Sequence, residues 1–321
     1  MADLDKLYNR FCQTITLTSS KRDELKTGRD SIRDDIRDSF SDNGRSRPSF
    51  CMQGSFSMKT TINPINGNEY DLDDGVYIKG YADKSQDGWP NAATVHDWII
   101  DAVDGHTSSA PENKTSCVRV RYAHGYHIDL PSYIISGETC YLATKNDGWV
   151  ESDPKAFKEW FMNYVTDYPI SYGEPLRRTV KYLKAWRDYC AVDLESIAIT
   201  ILATNNFSSY SGRDDKAVLN TVKRIHASLS TNFSCKKPVY PYEELLGEYN
   251  DAEKKDILNA LSSLEEALSD ALEEDDEKKA SEKARSVYGN RFPLGQSTTS
   301  SAGTYAVTPA PGVIGNDGRS A

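Results

Sequence analysis

Positive charge is in short supply: 38 lysines and arginines stand against 48 aspartates and glutamates, a formal net charge of −10. Neutralising phosphates along a duplex takes clustered Lys and Arg, so a broad nucleic-acid-binding face is excluded while a local basic pocket is not. Any run of about 18 apolar residues is also missing, which argues against a transmembrane helix. The opening stretch "MADLDKLYNRFCQTI" mixes charge into its apolar positions, unlike the uninterrupted apolar segment of a signal peptide. A soluble, cytoplasmic protein is expected. The cysteines, Cys12, Cys51, Cys117, Cys140, Cys190 and Cys235, form no Cys-x-x-Cys pair, so neither a zinc knuckle nor a disulfide scaffold is indicated. Reduced and mostly buried thiols follow.

What is there suffices for two moderate cores: 321 residues, 38% of them hydrophobic. Residues 3 to 17 carry Leu4, Leu7, Phe11 and Ile15 at helical spacing. "SSKRDEL" then offers a cap at Ser20 with Asp23 three residues on, opening a second helix with Leu25, Ile32, Ile36 and Phe40 inward. From "SFCMQ" to about residue 150 short β runs are broken by Gly, Pro and Asn, and "CVRVRYAHGYHIDLPSYII" alternates on both sides of His124-Gly125 as a hairpin does. From Pro154 onward helices dominate. "EPLRRTVKYLKAWRDYC" places Pro175 at a helix start, with Leu176, Val180, Leu183 and Trp186 along one face. "DLESIAITILATNNF" reads as a buried helix, and the stretch from "DAEKKDILNAL" to "SEKARSVYG" as one exposed amphipathic helix. After Pro293 the composition becomes small, polar and Pro-rich, too poor in apolar residues to fold. The division expected is 1–165 with the N-terminal helices, 166–295 as a helical lobe, and 296–321 as a disordered tail.

The chemistry concentrates in "QGSFSMKTTINPINGNEYDLDDGVYI", residues 53 to 78. In a strand, Asp71 and Asp73 project to one face while Leu72 points into the core. Two carboxylates so close repel, and a divalent cation between them turns that repulsion into ligation. Magnesium suits such oxygen ligands and takes the rest of its shell from water and phosphates. Gly54 permits a close backbone approach, and Ser55 offers a hydroxyl at a helix start where N–H groups favour phosphate. Asp129, mid-strand between Ile128 and Leu130, is the candidate third ligand, since a bare charge there is otherwise costly. On these residues alone a solvated edge strand stays open for Asp71 and Asp73. Asp74, beside Gly75, reads as structural, bonding backbone N–H groups at a turn. Arg177, Lys181 and Lys184 form a basic stripe whose ordinary reading is a solvated face. His124 and His127 receive no role. Tyr288 and Phe292 suit either base stacking or core packing.

Gly54-Ser55, Asp71-Leu72-Asp73 and Asp129 followed by Leu130-Pro131 resemble the metal and phosphate motif of polymerase-β-type nucleotidyltransferases. More narrowly, "YDLDDGVYI", "VRVRYAHGYHIDLPSYI", "YLKAWRD" and "RFPLG" resemble the bacterial cGAS/DncV-like nucleotidyltransferases, in motif order over roughly residues 5 to 295. The interval from Ser55 to Asp71 is longer than is usual across the wider superfamily, with "NPINGNE" as the looping insert. The resemblance implies an α+β fold: a nucleotidyltransferase lobe with a mixed sheet, a helical lobe, and the active site in the cleft between them. It implies two Mg2+ (or Mn2+) ions on Asp71, Asp73 and Asp129, with Asp129 as proton acceptor or its orienter. Gly54, Ser55, Lys184 and Ser196 would bind the donor triphosphate. The implied activity is synthesis of a cyclic di- or trinucleotide messenger from ATP, GTP or other nucleoside triphosphates, first 3′,3′-cyclic GMP-AMP, in anti-phage (CBASS) signalling. A downstream effector would read the product. A ubiquitin-transfer-like partner would conjugate the C-terminal tail, which ends in "DGRSA", although a merely solubilising extension fits that tail nearly as well. No nucleic-acid activator is expected. Transfer to an RNA end or a small-molecule acceptor, and a non-catalytic nucleotide sensor, remain the alternatives.

Overall fold

A computed structural model describes residues 2–65, 67–167 and 173–297. Two helices open the chain, α1 (Asp5–Ile15) and α2 (Ser19–Asp42). Then come β1 (Ser49–Gln53), α3 (Gly54–Met58), β2 (Tyr70–Tyr77) and α4 (Ala92–Val103). Six strands follow: β3 (Glu112–Asn113), β4 (Val118–Tyr122), β5 (Tyr126–Leu130), β6 (Ser132–Ser136), β7 (Thr139–Thr144) and β8 (Gly148–Glu151). The remainder is helical: α5 (Pro154–Met162), α6 (Gly173–Cys190), α7 (Ser196–Asn206), α8 (Asp214–Thr231), α9 (Asp251–Glu273) and α10 (Glu277–Tyr288).

The strands form one mixed sheet in the order β3-β4-β5-β2-β6-β7-β8, with β1 antiparallel to β2. β2 runs parallel to β5 and then to β6, the α+β arrangement that the resemblance implies. Register decides what meets at the site. Asp73 lies opposite Asp129, and Asp129 opposite Arg119; one row back, Asp71 lies opposite His127, and His127 opposite Arg121. The period-two alternation therefore puts a charged patch on one face, while Leu72, Val120 and Ile128 enter the core on the other.

Among the described residues two large apolar cores form, with a small third cluster of Tyr77, Tyr133 and Cys140. Leu25, Ile32, Ile36 and Phe40 of α2 pack with α4 and the sheet. Tyr8, Phe11 and Ile15 of α1 instead pack with α6 to α10. The N-terminal helices, expected together in the catalytic lobe, thus separate: α1 is built into the helical core, because its apolar stripe meets Tyr182, Tyr288 and Phe292. Those last two aromatics are wholly buried, which resolves them as core and removes them from base stacking. Each such side chain contributes about 1.5–3 kcal/mol through burial.

Other local readings are corrected. The cap of α2 is Thr18, whose hydroxyl accepts from the Lys21 N–H, and Ser20 already lies inside the helix. The long C-terminal helix is two helices, broken at 274–276, where Asp276 caps α10 by accepting from Lys279 N–H at 2.9 Å. Asp74 bonds no turn: it is fully buried and takes a fork from Arg33 of α2, both bonds 2.6 Å, tying α2 to β2. The tail from 298 lies outside the described residues.

Candidate active site

β1 ends at Gln53, and the chain turns at once into α3. Gly54 makes that turn with φ +61°, and a Cβ there would sit 2.0 Å from Asp73 Oδ2. Glycine is required twice over, for the left-handed backbone and for the carboxylate pressed against it. Ser55 follows, its hydroxyl 2.8 Å from Thr61 Oγ1. Asp71 and Asp73 rise beside them from β2, both part-buried.

On the far side stands α6. The ordinary reading of the basic stripe as a solvated face fails, because Arg177, Lys181 and Lys184 are all buried. Arg177 Nε donates to Met58 O at the end of α3 at 3.1 Å and Lys184 Nζ to Thr60 O just after it at 3.4 Å, while Lys181 Nζ donates to Thr16 Oγ1 after α1 at 3.1 Å. The stripe is a polar seam between α6 and the chain around the ends of α1 and α3. Ser196 begins α7 and is exposed, contrary to its expected place on a buried helix face, and its hydroxyl accepts from Arg187 Nη1 at 2.8 Å.

These elements enclose a cleft of about 300 Å³ lined by Gly54, Ser55, Asp71, Asp73, Lys184 and Ser196 together with Gln53, Met58 and Thr200. Ser152, Asp153 and Phe157 complete it from the start of α5, and Lys237, Val239, Tyr240 and Pro241 from a loop between α8 and α9. Asp129 is not on that wall. It lies across from Asp73 on β5, and Arg119 grips it with two bonds of 2.8 Å. His127 Nδ1 is 2.8 Å from Glu69 Oε2, and its Nε2 is 3.9 Å from Asp129 Oδ2.

The charges are in tension. Desolvation, then the neighbouring Asp71 and Asp129, push the Asp73 carboxyl well above its ordinary value. Burial pushes the Lys184 ammonium down to about 8, against the pull of Asp71. A hard divalent cation fits this donor set, since carboxylate oxygens that repel one another gain by sharing a positive charge. Among the described residues no three His, Cys, Asp or Glu side chains form a ready-made metal cage, consistent with Asp129 being engaged by Arg119.

Sequence reasoning missed Arg119, although a signal existed. Equal steps outward from His124 along the hairpin put Arg119 opposite Asp129. Gln53, Asp153 and the 237–241 loop carried no such signal, because only the folded chain brings them to the cleft.

A family model described as Cyclic GMP-AMP synthase DncV-like, nucleotidyltransferase domain, matches residues 48–133. The Cyclic GMP-AMP synthase of Escherichia albertii is 27% identical over 219 residues, covering 65% of this chain and 47% of that protein. The Vibrio cholerae protein of the same name is 28% identical over 321 residues, covering 80% of this chain and 70% of its own. The chain thus spans about half the length of the first of these relatives. A solved structure of the Vibrio cholerae di-nucleotide cyclase, a mutant in complex with ATP, GTP and 5MTHFGLU2, superposes with TM-score 0.77 at 21% identity, covering 92% of this chain and 99% of that one. At that identity the likeness is one of fold.

Proposed function

We propose that this chain, which carries a DncV-like nucleotidyltransferase domain over residues 48–133, joins nucleoside triphosphates into a cyclic dinucleotide and releases pyrophosphate. What supports the reading above all is the convergence of Gly54, Ser55, Asp71, Asp73, Lys184 and Ser196 on one cleft between two lobes.

Each residue has a task that follows from its surroundings. Ser55 and Ser196 offer hydroxyls, and Lys184 a cation, to the donor triphosphate from opposite walls. The bare backbone at Gly54 leaves room for Asp73 and the phosphates together. Asp71, Asp73 and Asp129 would hold the divalent cations, magnesium or manganese, whose chemistry when bound is to acidify the acceptor 3′-hydroxyl and neutralise charge on the triphosphate. Asp129 would accept the hydroxyl proton, or orient its acceptor, only once the Arg119 fork on its two oxygens opens. The O3′–Pα bond forms as the bond from Pα to the pyrophosphate oxygen breaks. Little covalent work falls to the protein, so positioning and charge complementarity supply most of the acceleration. Repeating the step on the turned linear intermediate closes the ring. ATP and GTP are the proposed substrates, 3′,3′-cyclic GMP-AMP the first product to seek, and anti-phage signalling through an effector the proposed setting.

Incubation with ATP, GTP and magnesium, followed by phosphatase and mass spectrometry, tests this. A phosphatase-resistant product of cyclic dinucleotide mass is expected. Products that remain phosphatase-sensitive, or no pyrophosphate release from any mixture of the four nucleoside triphosphates, would overturn it.

A further inference from the structure

The cleft is chemically mixed. Buried Lys184 lines it with Asp71, Asp73 and two serine hydroxyls, and the more exposed Phe157, Ile197, Val239, Tyr240 and Pro241 add apolar surface broken by Lys237. A nucleoside triphosphate with its phosphates at Lys184 lays its base on that surface, where aromatic and aliphatic faces replace water. One carboxylate lies in the lining besides the Asp71 and Asp73 pair, that of Asp153.

Asp153 is well placed to read a base. It caps α5, its Oδ1 accepting the N–H groups of Lys155 and Ala156, both at 3.0 Å. Two backbone bonds fix the direction of the carboxylate, and Oδ2 has no hydrogen-bond partner among the described residues. Phe157, one turn further along α5, belongs to the apolar surface, so the polar atom and the stacking surface ride on a single helix. A functional group held by an element of regular structure is more sharply positioned than one on a loop.

We infer that Asp153 is the specificity-determining residue of this site and selects guanine over adenine. The inference rests on the reading of the cleft as a nucleoside triphosphate site. An ionised carboxylate only accepts hydrogen bonds. Guanine presents adjacent N1–H and N2–H donors on its Watson–Crick edge, and both suit Oδ2. Adenine presents N1 as an acceptor beside its amino group, so a lone pair would face a lone pair. Adenine can still donate from its N6 amino group, so Oδ2 gains one hydrogen bond and faces one lone pair where guanine gives it two donors; the site prefers guanine without excluding adenine, as closing a ring from both bases requires.

Calorimetry with the α,β-methylene analogues of GTP and ATP, on the wild type and on Asp153→Asn and Asp153→Ser, tests the assignment. Asn and Ser both cap helices well. Asn keeps an oxygen for the α5 N–H groups and turns an amide N–H₂ donor toward the base, while Ser keeps the cap and lacks the reach. The wild type should favour the GTP analogue by about tenfold or more. In Asp153→Asn that preference should vanish or invert, and in Asp153→Ser it should vanish, with thermal melting unchanged in both. A wild type that prefers the ATP analogue, or a preference that survives both substitutions, overturns the role of Asp153 while leaving the nucleotide site standing. Failure of the wild type to bind either analogue overturns the site and the inference together.

Discussion

Asp73 sits where its charge is costly, because a part-buried carboxylate with two others nearby holds its proton too tightly. An acid whose pKa is higher folded than unfolded carries more protons in the folded state, so its contribution to stability falls as pH rises through the raised value. Asp73→Asn should therefore melt above the wild type at neutral pH in chelator, and its stability should vary less with pH. Synthesis by Asp71→Asn or Asp73→Asn should be nearly abolished; turnover within about tenfold of wild type, roughly 1.4 kcal/mol in barrier, would clear both residues of a catalytic role. Lys184 titrates in a usable range, with burial lowering it to about 8. Its ammonium is the form that attracts a triphosphate, so nucleotide affinity of the metal-free protein should fall above about pH 8. Binding near that pH should take up protons, seen as a dependence of calorimetric heat on buffer ionisation. Lys184→Ala should lose on the order of 1.5–3 kcal/mol of affinity and the proton uptake with it. Affinity that is flat across this range would leave Lys184 to its hydrogen bond with Thr60 alone.

Among the elements, α2 shows how a buried charge can serve the fold. Three aspartates crowd "DLDD", and strand geometry separates them: Asp71 and Asp73 face the cleft, and Asp74 faces α2. Removing one member of a buried pair strands the other, so Asp74→Ala should cost about 3–5 kcal/mol in denaturant unfolding. Replacing Asp74 and Arg33 together with apolar residues of similar volume should recover much of that. A loss under about 1 kcal/mol for the single change would show that Arg33 finds water easily. The helices were legible as far as their apolar stripes ran. Leu25, Ile32, Ile36 and Phe40 predict α2, and all four are fully buried. Ends were less legible: Thr18 and Ser20 are both good capping residues, and which one caps depends on where the chain leaves α1.

At the scale of the molecule, the buried cations of α6 meet the chain around the ends of α1 and α3. With a net charge of −10 and no clustered cysteine–histidine set, synthesis should need no duplex DNA. Strong stimulation by added duplex at physiological salt would contradict this. Deleting residues 298–321 should leave purified-enzyme turnover largely intact, and a loss beyond about tenfold would make the segment part of the catalytic machinery. If a conjugating partner uses the tail, loss of Arg319, Ser320 and Ala321 abolishes high-molecular-weight adducts in cells; adducts that persist would leave the tail a solubilising extension.

By itself the sequence determined the things that follow from local periodicity and spacing. The i, i+2 placement of Asp71 and Asp73 makes them share a face in any strand, and Gly54 is the residue that tolerates the backbone the turn adopts. The hairpin around His124 likewise follows from alternation alone. Tertiary structure decided the rest, because distance along the chain says little about distance in space. It sent α1 to the helical core, buried a basic stripe whose spacing suits solvent equally well, and set Arg119 rather than open cleft against Asp129. It also brought Asp153 and Tyr240 to one cleft, and no pattern near either residue foretells that meeting.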